Sequence, residues 1–451
     1  MFHHFSLHHH RLALLLLFMD FLGLLFSFGI VYAFNISPLY QESILGFTAT
    51  AAVILLSLYL TESYEVHTQV LGLRAPYRAI LSNLIALILL SFYSYIYRQY
   101  RGEFIHIRLL FSELLIFTSW AATSRAWFAK RVSDEAAQSS WLIMEKQAFY
   151  LTTWDSIVKA IKIHSSIPDK TEFDVTMLTK KITPLEDISL HSYSGILICS
   201  GEKLERKTIQ TLMELRLEGT LIYSLSEFCE GFIYKIPTIY LQDDWFIFSA
   251  GFSLLHSHAG NKLKRALDVA ISVTLLMLTL PLMVLAAFLI KLDSQGPILY
   301  SQTRSGLNRK SFRLYKFRSM FHNSEHGKAQ WAQANDPRVT RIGRFLRLTR
   351  IDELPQIFNV LAGDMSIIGP RPERPEFDQH LSVEIPYYDT RYLVKPGITG
   401  WAQVMYPYGA SIEDAYQKLA FDLYYIKNYS LLLDIAILFK TVRVVLMGRG
   451  R

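Results

Sequence analysis

Residues 341–356 read Arg-Ile-Gly-Arg-Phe-Leu-Arg-Leu-Thr-Arg-Ile-Asp-Glu-Leu-Pro-Gln. Arginine recurs every three positions, at 341, 344, 347 and 350, with Ile342, Phe345, Leu346 and Leu348 between. On a helix this spacing sets a basic stripe beside an apolar one, the pattern of an element lying in a membrane interface. A solvated basic face accounts for the spacing equally well when it is taken alone. The residues that follow, Asp352-Glu353-Leu354-Pro355-Gln356, read as a helix start, because Asp is a favoured N-cap and Pro is tolerated in the first turn. A carboxylate there faces the positive end of the helix and nearby arginines, and is expected to stay ionised.

Working outward, the chain between Arg304 and Arg350 is dense in cations, including Arg309, Lys310, Arg313, Lys316, Arg318 and Arg338. Guanidinium forks suit phosphate oxygens. Downstream, Gly369-Pro370-Arg371-Pro372-Glu373 presents one arginine between two rigid prolines. Lys395-Pro396-Gly397-Ile398-Thr399-Gly400-Trp401-Ala402-Gln403 forms a turn-rich loop able to close over a ligand. In this setting Asp352 is placed to attack phosphorus. Adjacent carboxylates repel unless a cation lies between them, and Mg2+ held by one or two carboxylates plus substrate phosphates is the usual solution. A structural cap beside a surface glutamate is the plain alternative for an isolated Asp-Glu pair.

Composition marks a membrane protein, with 51% hydrophobic and only 19% charged residues. A net charge of +7 beside apolar spans favours anionic headgroups and phosphorylated substrates over nucleic acid. The two cysteines, Cys199 and Cys229, suggest neither a disulfide framework nor a metal cluster. Four apolar segments, 12–34, 44–60, 77–97 and 107–122, are expected to cross a bilayer. The first is longer than a signal peptide's apolar core and reads as retained. The connection at 35–42 lacks Lys and Arg, whereas Arg74, Arg78, Arg125, Lys130 and Arg131 follow the second and fourth segments, placing both ends in the cytoplasm. Arg98, Arg101 and Arg108 cut against that assignment. Asp20 and Glu113 lie inside spans, where they serve as polar packing contacts. The histidines at 3, 4, 8, 9 and 10 read as a solvated flank.

From 139 to 251, short apolar runs at 141–144, 173–178, 195–199 and 220–223 alternate with helical patterns at 154–163 and 207–217. That alternation predicts an α/β domain with a parallel sheet. Its first strand runs into Glu145-Lys146-Gln147 rather than a glycine-rich turn, which argues against a dinucleotide site. A further apolar stretch, 266–292, carries Pro281 mid-run, where a helix loses a hydrogen bond. It either spans, or bends at Pro281 and returns. The stretch 410–447 reads as amphipathic helices, packed on the core or lying at the interface.

The segments 315–320, 336–340, 352–356, 365–373 and 395–403, in that order, resemble the bacterial sugar transferase family, the polyprenyl-phosphate phosphoglycosyl transferases with a re-entrant membrane helix. The upstream part resembles the family's large members of the exopolysaccharide-priming group. The resemblance implies four transmembrane helices over 1–131, a degenerate Rossmann-like α/β domain over 132–255 and a mostly α catalytic domain over 256–451, with 266–292 re-entrant at Pro281. It implies transfer of a sugar 1-phosphate from a UDP-sugar to undecaprenyl (polyprenyl) phosphate with release of UMP. Asp352 would be the nucleophile, and Glu353 a Mg2+ ligand or proton carrier. Arg347, Arg371, Lys316, Arg318 and Arg338 would bind phosphate or nucleotide. The site would face the cytoplasm at the bacterial inner membrane, among membrane lipid, and a homodimer is compatible with the large bundle. The family's usual Gly-x-Gly-Ala-like tail is replaced by Gly448-Arg449-Gly450-Arg451. The alternative from another class is a catalytically silent scaffold of polysaccharide assembly, which would show a decayed Asp-Glu pair.

Overall fold

The computed structural model describes residues 3–34, 44–61, 63–64, 74–101, 107–136, 141–144, 176–178, 195–198, 206–238, 241, 245–252, 257–321, 336–406, 409 and 411–446. The chain divides into two compact units, Met1–Ile233 and Tyr234–Arg451. The second unit therefore starts upstream of the expected boundary at 256, because Ile236, Leu241 and Phe252 are built into its core.

In the first unit the four apolar segments are helices: α1 (His3–Phe34), α2 (Ile44–Leu60), α3 (Arg74–Arg101) and α4 (Ile107–Ala136). Among their described residues, one of these helices, α1 over Leu14–Val31, is by itself long and apolar enough to cross a membrane. Their shared core contains Leu24, Ile54, Leu58, Ala86 and Phe117. Gly23 lets α1 approach α4 closely, since a Cβ there would lie 2.2 Å from Trp120 Cδ1. The Trp120 indole N–H donates to the Met19 carbonyl at 3.0 Å. Arg125, read above as a cytoplasmic flank, is instead fully buried and paired fork-to-fork with Asp20, at 2.9 and 2.8 Å. Tyr64 donates to the same carboxylate at 2.8 Å. A buried charge needs a partner, and the aspartate of α1 supplies it. The reading of Asp20 as packing glue holds.

The same unit carries strands β1 (Trp141–Met144), β2 (Thr176–Leu178), β3 (Gly195–Ile198) and β4 (Leu221–Ser224). They pair in parallel in the order β2-β1-β3-β4. Parallel neighbours need a crossover, and α5 (Arg206–Leu217) provides the one between β3 and β4, burying Thr208, Leu212 and Leu215. Cys229 is a buried free thiol. The expected helix at 154–163, Cys199, the histidine side chains at 3–10 and the tail at 447–451 lie outside the described residues.

In the second unit, α6 (His258–Asp293) is one unbroken helix with Pro281 inside it, capped by Ser257, whose hydroxyl accepts from Gly260 N at 2.9 Å. It too is long and apolar enough to cross a membrane. One of its faces lies on the unit along both halves. Before Pro281, Asp268 accepts from Ser366 Oγ and Ile367 N at 2.9 and 3.0 Å, and Arg265 donates to the Val360 and Leu361 carbonyls. After it, Met283, Ala286 and Ile290 pack with Phe317 and Leu346. The other face exposes Met277, Leu278, Leu285, Phe288 and Leu292.

Beyond α6, β5 (Leu299–Ser305) and β6 (Ser311–Phe317) form an antiparallel pair. Helices α7 (Arg341–Leu348), α8 (Gln356–Ala362) and α9 (Pro375–Glu384) follow, then α10 (Ile412–Lys427) and α11 (Leu431–Leu446). Strands β7 (Ser366–Ile368) and β8 (Gly397–Thr399) pair in parallel. Glycines at the start of β8 and just after both strands let the two segments touch. A Cβ on Gly397 would fall 2.1 Å from Gly369 N, and one on Gly400 would fall 2.1 Å from Gly369 O. Tyr416, Phe421, Asp422 and Tyr425 are buried, so α10 is a core helix rather than an interfacial one.

Candidate active site

Lys316 reaches the site from the end of β6, a strand whose Leu314 and Phe317 are buried. Asn359 ties α8 to the same strand: its amide donates to the Arg313 carbonyl at 2.7 Å, and its oxygen accepts from Tyr315 N at 3.1 Å. In α7, capped by Thr340, Leu346 points inward while Phe345 and Leu348 are exposed. The chain then reverses through Arg350, which sits in the left-handed region at φ 59°, a conformation non-glycine residues take at a cost. That reversal starts a 3-10 turn, Ile351–Glu353, which carries both carboxylates inward; Asp352 and Glu353 are each only 7% exposed.

The expectation that Asp352 caps a helix is thus corrected. Pro355 occupies the N-cap position of α8, so the regular helix begins only at Gln356. Proline lacks the N–H a helix interior requires but costs nothing at its start. The expected electrostatics change as well. Burial, and after it the charge of Glu353, push the Asp352 carboxyl up to about 6, against the opposing pull of Lys316, Arg347 and Arg350. It remains mostly ionised at neutral pH, with proton affinity well above that of an ordinary aspartate.

Glu353 behaves oppositely. Burial would raise it, but Arg371, Lys316 and Arg350 together hold it well below the usual carboxylate range. Arg371 Nη2 lies 2.7 Å and Lys316 Nζ 3.1 Å from Glu353 Oε1, while Arg350 Nη1 lies 3.2 Å from Oε2. Burial lowers the Lys316 ammonium despite Glu353 beside it. The second arm of Arg371 donates to Gln403 Oε1 at 3.0 Å. In contrast, Asp352 Oδ1 is buried with no hydrogen-bond partner among the described residues. An ionisable oxygen left unsaturated among cations is the arrangement of a nucleophile or a ligand-binding oxygen.

Among the residues named from the sequence, Lys316, Glu353 and Arg371 are therefore in direct contact. Arg347 faces Asp352 electrostatically and donates from Nε to Ser319 Oγ at 2.9 Å. Arg318 closes the end of α6 with one nitrogen, Nη2 donating to the Ile290 and Ser294 carbonyls and to Ser294 Oγ, while its Nε and Nη1 are buried with no hydrogen-bond partner among the described residues. Arg338 pairs with Asp336 at 2.8 and 2.6 Å. Pro281 lies within α6. Arg350 and Gln403 are contacts to which sequence reasoning gave no site role; Arg350 stood out only as the last arginine of the stripe and Gln403 only as the end of the 395–403 loop.

Among the described residues no group of three or more His, Cys, Asp or Glu side chains converges as a metal site. Asp352 Oδ1 suits a Mg2+ that is otherwise held by substrate phosphates. Glu353 does not suit one, since each of its oxygens already meets a cation.

Residues 259–448 match the bacterial sugar transferase family. Over 198 residues, 44% of this chain, the sequence is 52% identical to a UDP-N-acetylgalactosamine-undecaprenyl-phosphate N-acetylgalactosaminephosphotransferase of Aeromonas hydrophila, covering 47% of that protein. Over 181 residues, 40% of this chain, it is 46% identical to a UDP-glucose:undecaprenyl-phosphate glucose-1-phosphate transferase of Caulobacter vibrioides, covering 68% of it. It is also 44% identical over 196 residues, 42% of this chain, to an exopolysaccharide production protein of Rhizobium leguminosarum bv. phaseoli, covering 97% of it. The chain belongs to the bacterial sugar transferase family. It spans just under half the length of the Aeromonas relative and nearly all of the Rhizobium one.

Proposed function

We propose that this protein is a phosphoglycosyl transferase moving a sugar 1-phosphate from a UDP-sugar to undecaprenyl phosphate, the priming step of exopolysaccharide or related glycan synthesis. The observation carrying this reading is the pairing of a buried, unsaturated Asp352 oxygen with cations already assembled around Glu353. Asp352 attacks the sugar-bearing phosphorus, and the bond to the UMP oxygen breaks. An oxygen of the polyprenyl phosphate then attacks the same phosphorus, the bond to Asp352 breaks, and polyprenyl diphosphate sugar leaves.

Lys316, Arg347 and Arg371 stabilise charge on the equatorial oxygens, the main requirement of a loose phosphoryl transfer. Glu353 holds Lys316, Arg350 and Arg371 in place; a carboxyl kept so far below its usual range is a poor proton carrier at neutral pH. Mg2+, held by Asp352 and the donor's diphosphate, would neutralise phosphate charge. The activities for which the Aeromonas and Caulobacter relatives are named support undecaprenyl phosphate as the acceptor. Membrane attachment is multi-pass at the inner membrane, with the site on the cytoplasmic face where nucleotide sugars occur. An intact dyad disfavours a silent scaffold.

Purified protein with radiolabelled UDP-sugar, Mg2+ and undecaprenyl phosphate should pass label to lipid, with UDP-N-acetylgalactosamine, UDP-glucose and UDP-galactose as the donor panel. Asp352→Asn should abolish transfer, and activity retained in that variant would rule out the nucleophile assignment.

A further inference from the structure

The loop carrying Arg371 has few amides of its own to hold it: Gly369 N donates to the Thr399 carbonyl at 2.9 Å. Pro370 and Pro372 flank the arginine and remove two N–H donors. Around the arginine the loop is held by its carbonyl oxygens, each engaged by a different group. Gly397 N donates to the Pro370 carbonyl at 2.9 Å. Arg391 Nη2 donates to the Arg371 carbonyl at 2.8 Å. Arg304 Nη1 donates to the Pro372 carbonyl at 3.2 Å.

Arg391 is the member with the most elaborate support. It is 7% exposed, and no sequence motif singled it out. Its Nη2 also meets Asp422 of α10 at 3.2 Å, and its Nη1 donates to the Tyr388 hydroxyl at 2.6 Å. Tyr388 in turn donates to Asp378 of α9 at 3.1 Å, and Tyr392 donates to the same carboxylate. Burying a guanidinium and two carboxylates is costly unless their geometry is tightly satisfied. Here that network ends on the one backbone carbonyl belonging to the arginine that grips Glu353 and Gln403.

We propose that Arg391, backed by Asp422 and Tyr388, is a positioning residue for the transfer, acting through Arg371 by fixing its backbone. This rests on the transferase reading above. Arg391→Lys keeps the charge opposite Asp422 but loses the fork that spans three acceptors, so the Arg371 carbonyl is released. Tyr388→Phe loosens the same guanidinium while leaving every charge in place.

The test compares UMP release from the UDP-sugar in two backgrounds, wild type and Arg371→Lys, and hydrogen exchange across residues 366–374. Arg391→Lys should lower kcat/KM for the UDP-sugar by about tenfold or more in the wild-type background and by less than about twofold in Arg371→Lys. Tyr388→Phe should show a smaller loss with the same dependence on background. Exchange across 366–374 should quicken in Arg391→Lys. Equal losses in both backgrounds, or unchanged exchange, overturn the proposal. Wild-type protein that releases no UMP from any UDP-sugar counts against the transferase reading instead, and the exchange measurement still reads the clamp.

Discussion

Arg371 and Glu353 are joined at 2.7 Å, eighteen positions apart in sequence, while Oδ1 of the neighbouring Asp352 is buried with no hydrogen-bond partner among the described residues. The two acids of the dyad therefore differ in role. Glu353 anchors three cations, and its charge in turn raises the Asp352 carboxyl.

Glu353→Gln removes that charge while keeping the side chain's shape. Lys316, Arg350 and Arg371 lose their common anionic partner, and transfer should fall by about a hundredfold or more, as when a preorganised electrostatic contact is deleted. The residual activity should carry a second signature. Without the adjacent negative charge Asp352 ionises more readily, so the acid limb of the pH–rate profile should move to lower pH. A limb that stays in place or moves up would contradict the coupling.

The wild-type profile follows from the same carboxyl. Transfer needs Asp352 ionised, so activity should fall as pH drops through about 6. The stability consequence has the opposite sense. A carboxyl raised from 3.8 to about 6 on folding favours the folded state fully only below the unfolded value, and that contribution is lost as pH rises through about 6. Asp352→Asn should therefore be inactive yet raise the thermal midpoint in detergent at pH 8, with the gain shrinking toward pH 4. An equal or lower midpoint at pH 8 would show that the buried carboxylate is not strained.

Much of this arrangement was legible in the chain. Strands β1, β3 and β4 fall within a residue of their apolar runs, because a buried parallel strand needs a continuous apolar stretch bounded by polar residues. Asp352, Glu353, Lys316 and Arg371 were legible because their motifs combine charge with rigid or turn-forming neighbours. The cap assigned to Asp352 failed because helix starts are set by backbone geometry, and the left-handed Arg350 leaves no mark in side-chain chemistry. The Nη2 contacts of Arg318 were not legible, because a cation near phosphate-binding motifs reads the same whether it faces a ligand or closes a helix. Arg125 looked like a flank because composition cannot see Asp20, 105 positions away, turned toward it.

That last pair yields a stability prediction. Asp20 and Arg125 are both fully buried, so removing either leaves the other uncompensated. Asp20→Asn or Arg125→Met alone should destabilise the first unit by roughly 3–5 kcal/mol, whereas Asp20→Leu with Arg125→Met should recover much of the loss. Denaturant titration of the purified protein in detergent checks this, and a double variant less stable than both singles would refute the pairing as the cause.

The membrane geometry of α6 can be tested through its packing. Its 36 residues would extend about 54 Å if straight, enough to cross a hydrocarbon core of roughly 30 Å. A spanning helix would carry its two ends to opposite sides. Yet Asp268 before Pro281 and Ile290 after it both pack on the second unit, while the exposed face is apolar. Entry and return from one side would require a bend at Pro281, where the missing N–H weakens a helix that is otherwise continuous. Single cysteines at Lys262 and Gln295, placed in a chain whose native cysteines are replaced by alanine, should both react with a membrane-impermeant thiol reagent from the cytoplasmic side of oriented vesicles. Labelling of the two positions from opposite sides would mean that α6 spans.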